Sequence, residues 1–280
     1  MSTTLTPHAS IDRSRFTNMG KPARVWSISA IHGDAGRLVH LHDLIFPHIT
    51  SGDRLVYHGN YLGHGTQCIE VIDEILAFRR CLMANRGMQP GDIIYLRGMQ
   101  EEMLQKLLQL QFAPNPAEVL NWMLANGLYN TLTCYGINPD DGKRTTTQGM
   151  SMIAKWTTNV RSAVRAHPGH ETFATHIVRA AFTDPDRQKQ AMLFVNSGIN
   201  PSATLQEQGD QFWLAHKRFD ALQRSYAPFA KIIRGYDPLH HGLTFEHHKI
   251  SLDGGCGFGG TLVCAAFDGT TTDLLDLIEC

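Results

Sequence analysis

His32 is the first residue along this chain with the chemistry of a metal ligand in a telling place. It follows the apolar run "VWSI" within "SAIHGDAGRL" (residues 29–38), where a strand gives way to a turn and a helix. A hydrolytic metal site needs carboxylates beside such an imidazole, because hard dications take negatively charged oxygen ligands. Two residues earlier, where that carboxylate would stand, the chain has Ala30. Of the 15 histidines, seven gather in "HLHDLIFPH" (His40, His42, His48) and "HHGLTFEHH" (His240, His241, His247, His248). Neither cluster has the spacing of a ligand set with carboxylates, so both read as surface histidines on a helix and a hairpin. The six cysteines, Cys68, Cys81, Cys134, Cys256, Cys264 and Cys280, contain no C-x-x-C pair. They are expected to be free thiols rather than a zinc finger or a disulfide framework.

The elements around His32 repeat a simple pattern. "ARVWSISAI" reads as a buried strand, and "AGRLVHLHDLIFPHI" follows with helical spacing at Leu38, Leu41, Leu44 and Ile45. "GDRLVYHGN" and "CIEVIDEILAFRRCLMA" form a second strand and helix, and "GDIIYLRGM" and "EEMLQKLLQL" a third. Alternation of this kind predicts an α/β core with a parallel component. From about 114 to 187 the chain changes character. "NPAEVLNWMLANGL" and "TTQGMSMIAKWTTNVRSAVRA" read as helices, with loops at "YGINPDDGKR" and "HPGHE", so a helical insertion or cap is expected there. Strands return at "AMLFVNSGI", "AKIIRGYDP", "FEHHKISLDGG" and "GTLVCAAFDG". Residues 1–22 read as a polar tail without an apolar core, and residues 23–280 as a single domain.

A formal charge of −1 speaks against a nucleic-acid partner, which would draw on a basic excess. No apolar run approaches the roughly 20 residues that span a bilayer, so no membrane role is expected and the cytoplasm is the expected compartment.

Six strand ends then line up: "ISAIHG", "VYHGNYLGHG", "YLRGMQE", "LFVNSGINP", "IIRGYDP" and "ISLDGGCGFGGTLV". Their order closely resembles that of the calcineurin-like metallophosphoesterases, in particular bacterial members similar to serine/threonine protein phosphatases and diadenosine tetraphosphatases. The family blocks run G-D-x-H-G, G-D-x-x-D-R-G, L-R-G-N-H-E, V-H-A-G, G-H-T-P, then L-D-T-G and a late Gly-Gly. The resemblance covers residues 24–268. It implies a β-sandwich of two mixed sheets flanked by helices. It also implies a site that holds two divalent cations, with a bridging Asp, a metal-bound water as nucleophile, a His as acid and arginines on the phosphate.

Carried over residue by residue, that site is nearly gone. The first Asp falls on Ala30, and the His of the same block is kept as His32. The bridging Asp falls on Asn60, the Asn of N-H-E on Met99, and the acid His on Gln100. The histidines of V-H-A-G and G-H-T-P fall on Asn196 and Tyr236. The second Asp of D-R-G falls on Gly63 and its Arg on His64. Amides supply no bridging charge and a thioether is a poor ligand for hard cations. Retained turn glycines such as Gly33, Gly59, Gly98 and Gly235 imply that the fold is kept. Arg97 stands where the family has its phosphate-contact arginine. It is expected either to form a phosphate-type anion pocket with His64 or to pair with a carboxylate such as Glu101.

Other residues carry plainer expectations. Asp34 should cap a helix, His58 should be a satisfied core histidine, and Trp122 and Trp156 should pack helices. Cys256 lacks a paired His that would make it a nucleophile. The expected function is a catalytically inactive binding, regulatory or scaffold protein without metal or other cofactor. Its expected partner is a protein or an active relative. The alternative is a residual phosphoesterase rebuilt on another metal with His32, Asn60, His58, His64, His240 and His241. A purely structural subunit is a third reading.

Overall fold

In the computed structural model, which describes residue 12 and residues 14–185 and 190–280, the apolar runs assemble into two facing sheets. The strands are β1 (Phe16–Asn18), β2 (Arg24–Ile28), β3 (Arg54–Tyr57), β4 (Ile93–Tyr95), β5 (Ala180–Phe182), β6 (Ala191–Val195), β7 (Phe229–Arg234), β8 (Thr244–Phe245), β9 (Lys249–Ser251), β10 (Val263–Asp268) and β11 (Leu274–Glu279). One sheet has the order β11-β10-β2-β3-β4, the other β1-β5-β6-β7-β9-β8. β2, β3 and β4 are parallel, as are β6, β7 and β9, while antiparallel pairs elsewhere make both sheets mixed. This is the predicted sandwich.

Central strands are covered on both faces, which is why they read as continuous apolar runs. Period two still sorts their side chains. In β6, Met192 and Phe194 enter the space between the sheets with Val25, Val56 and Phe267. Ala191, Leu193 and Val195 face the other way, onto Phe212, Trp213 and Phe219. On the far side of the five-stranded sheet, Trp26 and Ile28 meet Leu38 and Leu41 of α1 (Ala35–Ile45) and Val71 and Ile75 of α2 (Cys68–Arg86). Asp34 caps α1 as expected, accepting from the Arg37 amide at 3.0 Å.

After α3 (Met99–Leu107) come the helices of the insertion: α4 (Pro116–Met123), α5 (Tyr129–Cys134), α6 (Pro139–Thr146), α7 (Met150–Arg165) and α8 (His170–Thr175). Leu120, Leu132, Ile153, Trp156 and Val160 close a core of their own against Met103 and Leu107 of α3.

Four expectations change. The polar tail is shorter than 1–22: Phe16 is buried, pairs through β1 with β5, and meets the Phe212 ring at 6.0 Å. The rest of that segment, residues 1–11 and 13, lies outside the described residues. The stretch expected as the loop "YGINPDDGKR" holds α6, because Asn138 caps it, Pro139 opens it, and acids then bases follow in the order that suits the helix dipole. The helical run ends at Thr175, and β5 belongs to the sandwich; the expected boundary at Arg187 lies outside the described residues. Trp156 packs as expected, whereas Trp122 is 48% exposed. Helices α9 (Gln211–Leu214) and α10 (His216–Asp220) and the edge strand β11 add elements that the sequence reading did not place. Among the described residues no helix is long and apolar enough to cross a membrane.

Candidate functional site

The parallel strands β2, β3, β4, β6, β7 and β9 deliver their C-terminal ends to one edge, the usual place for a ligand site in open α/β sheets. Backbone bonds knit the turns beyond them. The Ala30 amide donates to the Gly235 carbonyl at 2.9 Å, and the His32 amide to the Asn60 carbonyl at 2.7 Å. The Gln100 amide donates to Asn60 Oδ1 at 3.1 Å. The Gly235 and Tyr236 amides both donate to the Asn196 carbonyl, at 3.1 and 3.0 Å. Ala30, His32, Asn60, Gln100, Asn196 and Tyr236 therefore stand on one interlocked set of turns. Met99 lies between Gly98 and Gln100 in sequence, and its side chain packs on the apolar clusters around Phe212 and Met103.

The turns retain a demanding backbone. His32 and Asn60 have φ of +51° and +53°, a region that costs a residue with a Cβ on the order of 1 kcal/mol. Asn60 tolerates it better than His32, since asparagine visits this region more readily. A Cβ at Gly98 would lie 2.2 Å from Asn60 Oδ1, so only glycine fits there.

The electrostatics are those of a neutral site. His32 is 1% exposed, and neither ring nitrogen has a hydrogen-bond partner among the described residues. Its ring faces those of Tyr236 at 4.9 Å, Phe258 at 5.2 Å and His64 at 5.3 Å. Burial, then the neighbouring His64 and His240, hold its pKa well below 6.5, so the imidazole is uncharged at neutral pH. Burial lowers His64 too, and raises Tyr236 so that its phenol keeps its proton. Asn60 Nδ2, Asn196 Oδ1 and Gln100 Oε1 are buried without partners. The carboxylates nearby are already committed. Asp253 accepts from His240 Nδ1 at 2.8 Å and from the Gly255 amide at 3.1 Å. Such a set of amides, neutral imidazole and phenol does not fit a pair of hard dications, which need a bridging charge.

Among the described residues, Asp220, Asp237 and His241 come close enough together to hold a cation. Arg234 already sits on both carboxylates, at 2.9 Å from each, and supplies the positive charge itself.

Glu101 has a structural task that its neighbours in sequence do not reveal. Its carboxylate accepts from the backbone amides of Asn60 (2.8 Å), Tyr61 (2.9 Å) and Gly98 (2.9 Å), clamping the turn after β3 to the start of α3. Removing it strands three buried amides, each costing 1–3 kcal/mol by the usual desolvation penalty. Glu101→Ala is expected to lose about 4 kcal/mol in urea unfolding, and Glu101→Gln, which keeps one acceptor oxygen, about half of that. Equal midpoints for Glu101→Ala and wild type would remove the clamp from this account.

Arg97 pairs with Glu102 at 3.0 Å and also reaches Gln105, so the carboxylate partner is Glu102 rather than Glu101. Its Nε is buried without a partner, and the residue lines a cavity bordered by α7 and α8. His64 instead stands among His32 and Phe258, with its carbonyl accepting from Asn130. His58 is the core histidine expected. Its Nδ1–H donates to the Val195 carbonyl at 2.6 Å, which fixes Nε2 as acceptor of the Ser27 hydroxyl, also at 2.6 Å. Burial lowers its pKa to about 4. Burial likewise pushes the Cys256 thiol up to about 12, away from reactivity.

The sequence reading missed one member of the site, Phe258, and named another, His240, as a site residue only for the rebuilt-metal alternative. Phe258 is 43% exposed and lies against His64 (4.4 Å) and His240 (4.3 Å). His240 is held by Asp253. An isolated large apolar residue within "GGCGFGG" was the available signal for Phe258.

No family model matches the chain, and no curated protein matches it. Its fold does match solved structures. A protein provisionally described as a diadenosine tetraphosphatase aligns with a TM-score of 0.53 at 15% identity, over 95% of this chain and 98% of the other. A serine/threonine phosphatase from Saccharomyces cerevisiae, described as similar to human PP5, gives 0.49 at 12% identity over 93% and 81%. A metallophosphoesterase from Sphaerobacter thermophilus gives 0.40 at 12% identity over 92% and 88%. The first of these carries the comparison, and what it carries is the fold.

Proposed function

The chain has the calcineurin-like metallophosphoesterase fold, and from that premise we propose that it is a catalytically inactive version of the architecture, acting as a binding or regulatory protein. One observation supports this reading above the others: the turns that the sequence resemblance assigns to a dinuclear site interlock, while the donors such a site would need are missing. Ala30, Asn60, Asn196 and Tyr236 stand on interlocked turns with His32, and none of the four supplies the carboxylate or imidazole that the resemblance calls for. Met99 turns its side chain into apolar surroundings, and Gln100 stands in the place of the acid. Burial keeps His32 neutral, which suits a site with no cation and no anion to balance. Clustered carboxylates without metals would repel one another, so their replacement by neutral residues favours a stable, empty fold. The partner in this reading is a protein, an active relative among the candidates.

Metal content tests the reading. Untagged protein, purified and then titrated with manganese while bound metal is measured by mass spectrometry, should carry far less than one ion per chain. Two tightly held ions per chain would overturn the proposal in favour of a rebuilt phosphoesterase.

A further inference from the structure

A cavity that shares Leu62, Arg97 and Glu101 with these turns lies where the insertion meets the body of the molecule. Its volume is about 380 Å³, within the range of small-ligand sites. Leu62, Leu104, Val164, Phe173 and Ile177 give it an apolar lining. Three arginines, Arg97, Arg161 and Arg165, line it as well.

The charges around it balance in number, three arginines against Glu101, Glu102 and Glu171, but the hydrogen-bonding groups left open are not balanced: they are donors. Arg165 is paired with Glu171 at 2.6 Å, and Arg97 with Glu102 at 3.0 Å. Glu101 also lines the cavity, but its oxygens are taken by the amides of Asn60, Tyr61 and Gly98. His170 is engaged on both nitrogens, by Tyr135 and Asp73. Arg161 has no ion pair or hydrogen bond among the described residues. Arg97 Nε is buried and equally without a partner. Both are donors, and a guanidinium is matched best by a planar carboxylate.

We propose that this cavity binds a monocarboxylate with an apolar body, such as a medium-chain or aromatic acid. Its head would sit on Arg161 and Arg97 and its body in the lining of Leu104, Val164 and Phe173. The donors left open are those of Arg161 and Arg97 Nε, and with the Glu101 carboxylate in the same lining a monoanion meets less repulsion than a phosphate dianion would. An unpaired buried donor gains more from an anion than from a neutral acceptor.

Calorimetric titration of the full chain with octanoate, octanol and acetate tests this. Octanoate should bind at least about tenfold more tightly than octanol, which lacks the charge, and than acetate, which lacks the body. Arg161→Ala should weaken octanoate about fivefold or more; Arg161 is exposed, so the melting temperature should not move. Ala174→Phe, which fills the cavity, should abolish binding even if Arg161→Ala proves uninformative through a fold change. His32→Ala should leave octanoate binding unchanged, which separates this site from the proposed empty metal site. Octanol binding as tightly as octanoate, or octanoate failing to bind, would overturn the proposal.

Discussion

Incubated with manganese, zinc or magnesium, the wild-type protein should release nitrophenol from nitrophenyl phosphate no faster than buffer alone. The double variant Ala30→Asp, Asn60→Asp should bind manganese more tightly than wild type and still show little turnover. The geometry explains why two restored carboxylates are not enough. Asn60 Oδ1 already receives the Gln100 amide at 3.1 Å, and the backbone amide of Asn60 is bound to Glu101. An Asp there would keep the first bond and turn its second oxygen into a buried, unpartnered charge until a cation arrives. The other ion would still face Asn196, whose Nδ2 donates to the His58 carbonyl at 2.7 Å, and the Tyr236 ring, 4.9 Å from that of His32. Gln100, in place of the acid, donates to the Asn126 carbonyl at 2.8 Å and has no proton to give a leaving group. Groups that act as a unit lose rate together, so partial restoration stays several orders of magnitude below an intact site. Manganese-dependent turnover by the wild type, abolished in His32→Ala, would overturn the inactive reading.

How much of this was legible beforehand depends on where the signal resides. The sandwich strands announced themselves because both faces of β2, β6 and β10 are covered, leaving apolar runs such as "VWSI", "AMLFV" and "VCAAF". The turns were legible through motif order, since Gly59 and Gly98 answer to close backbone approach that no other residue permits. What escaped depends on contacts distant in sequence. Glu101 looked like a partner for Arg97 because they are neighbours on one turn, but its three amide donors sit on Asn60, Tyr61 and Gly98. β1 escaped because three residues carry no periodicity, and only pairing with β5 makes them a strand. α6 escaped because its composition is that of a loop, and its caps rather than its apolar face define it.

Stability should fall steeply between pH 7 and pH 4.5, and His58 should account for much of the fall. In the folded protein its pKa is lowered to about 4 by burial, against an ordinary value of 6.5. A lowered histidine pKa means that the unfolded chain binds the proton and the folded one resists it. The contribution is therefore complete above pH 6.5 and is lost as pH drops toward 4. Over that interval the loss is roughly 3 kcal/mol for His58 alone. His32, held well below its ordinary value, and His42, lowered by burial against the opposing pull of Glu74, act in the same direction. Urea midpoints at pH 7.5, 6.5, 5.5 and 4.5 should drop at each step below 6.5. His58→Gln keeps a donor for the Val195 carbonyl and an acceptor for the Ser27 hydroxyl and cannot take up a proton in this range. Its midpoint should start lower at pH 7.5 and decline less toward pH 4.5, so that the two curves converge. A wild-type midpoint that stays level to pH 4.5, or a variant curve parallel to it, would show that His58 is not the group whose protonation sets this pH dependence.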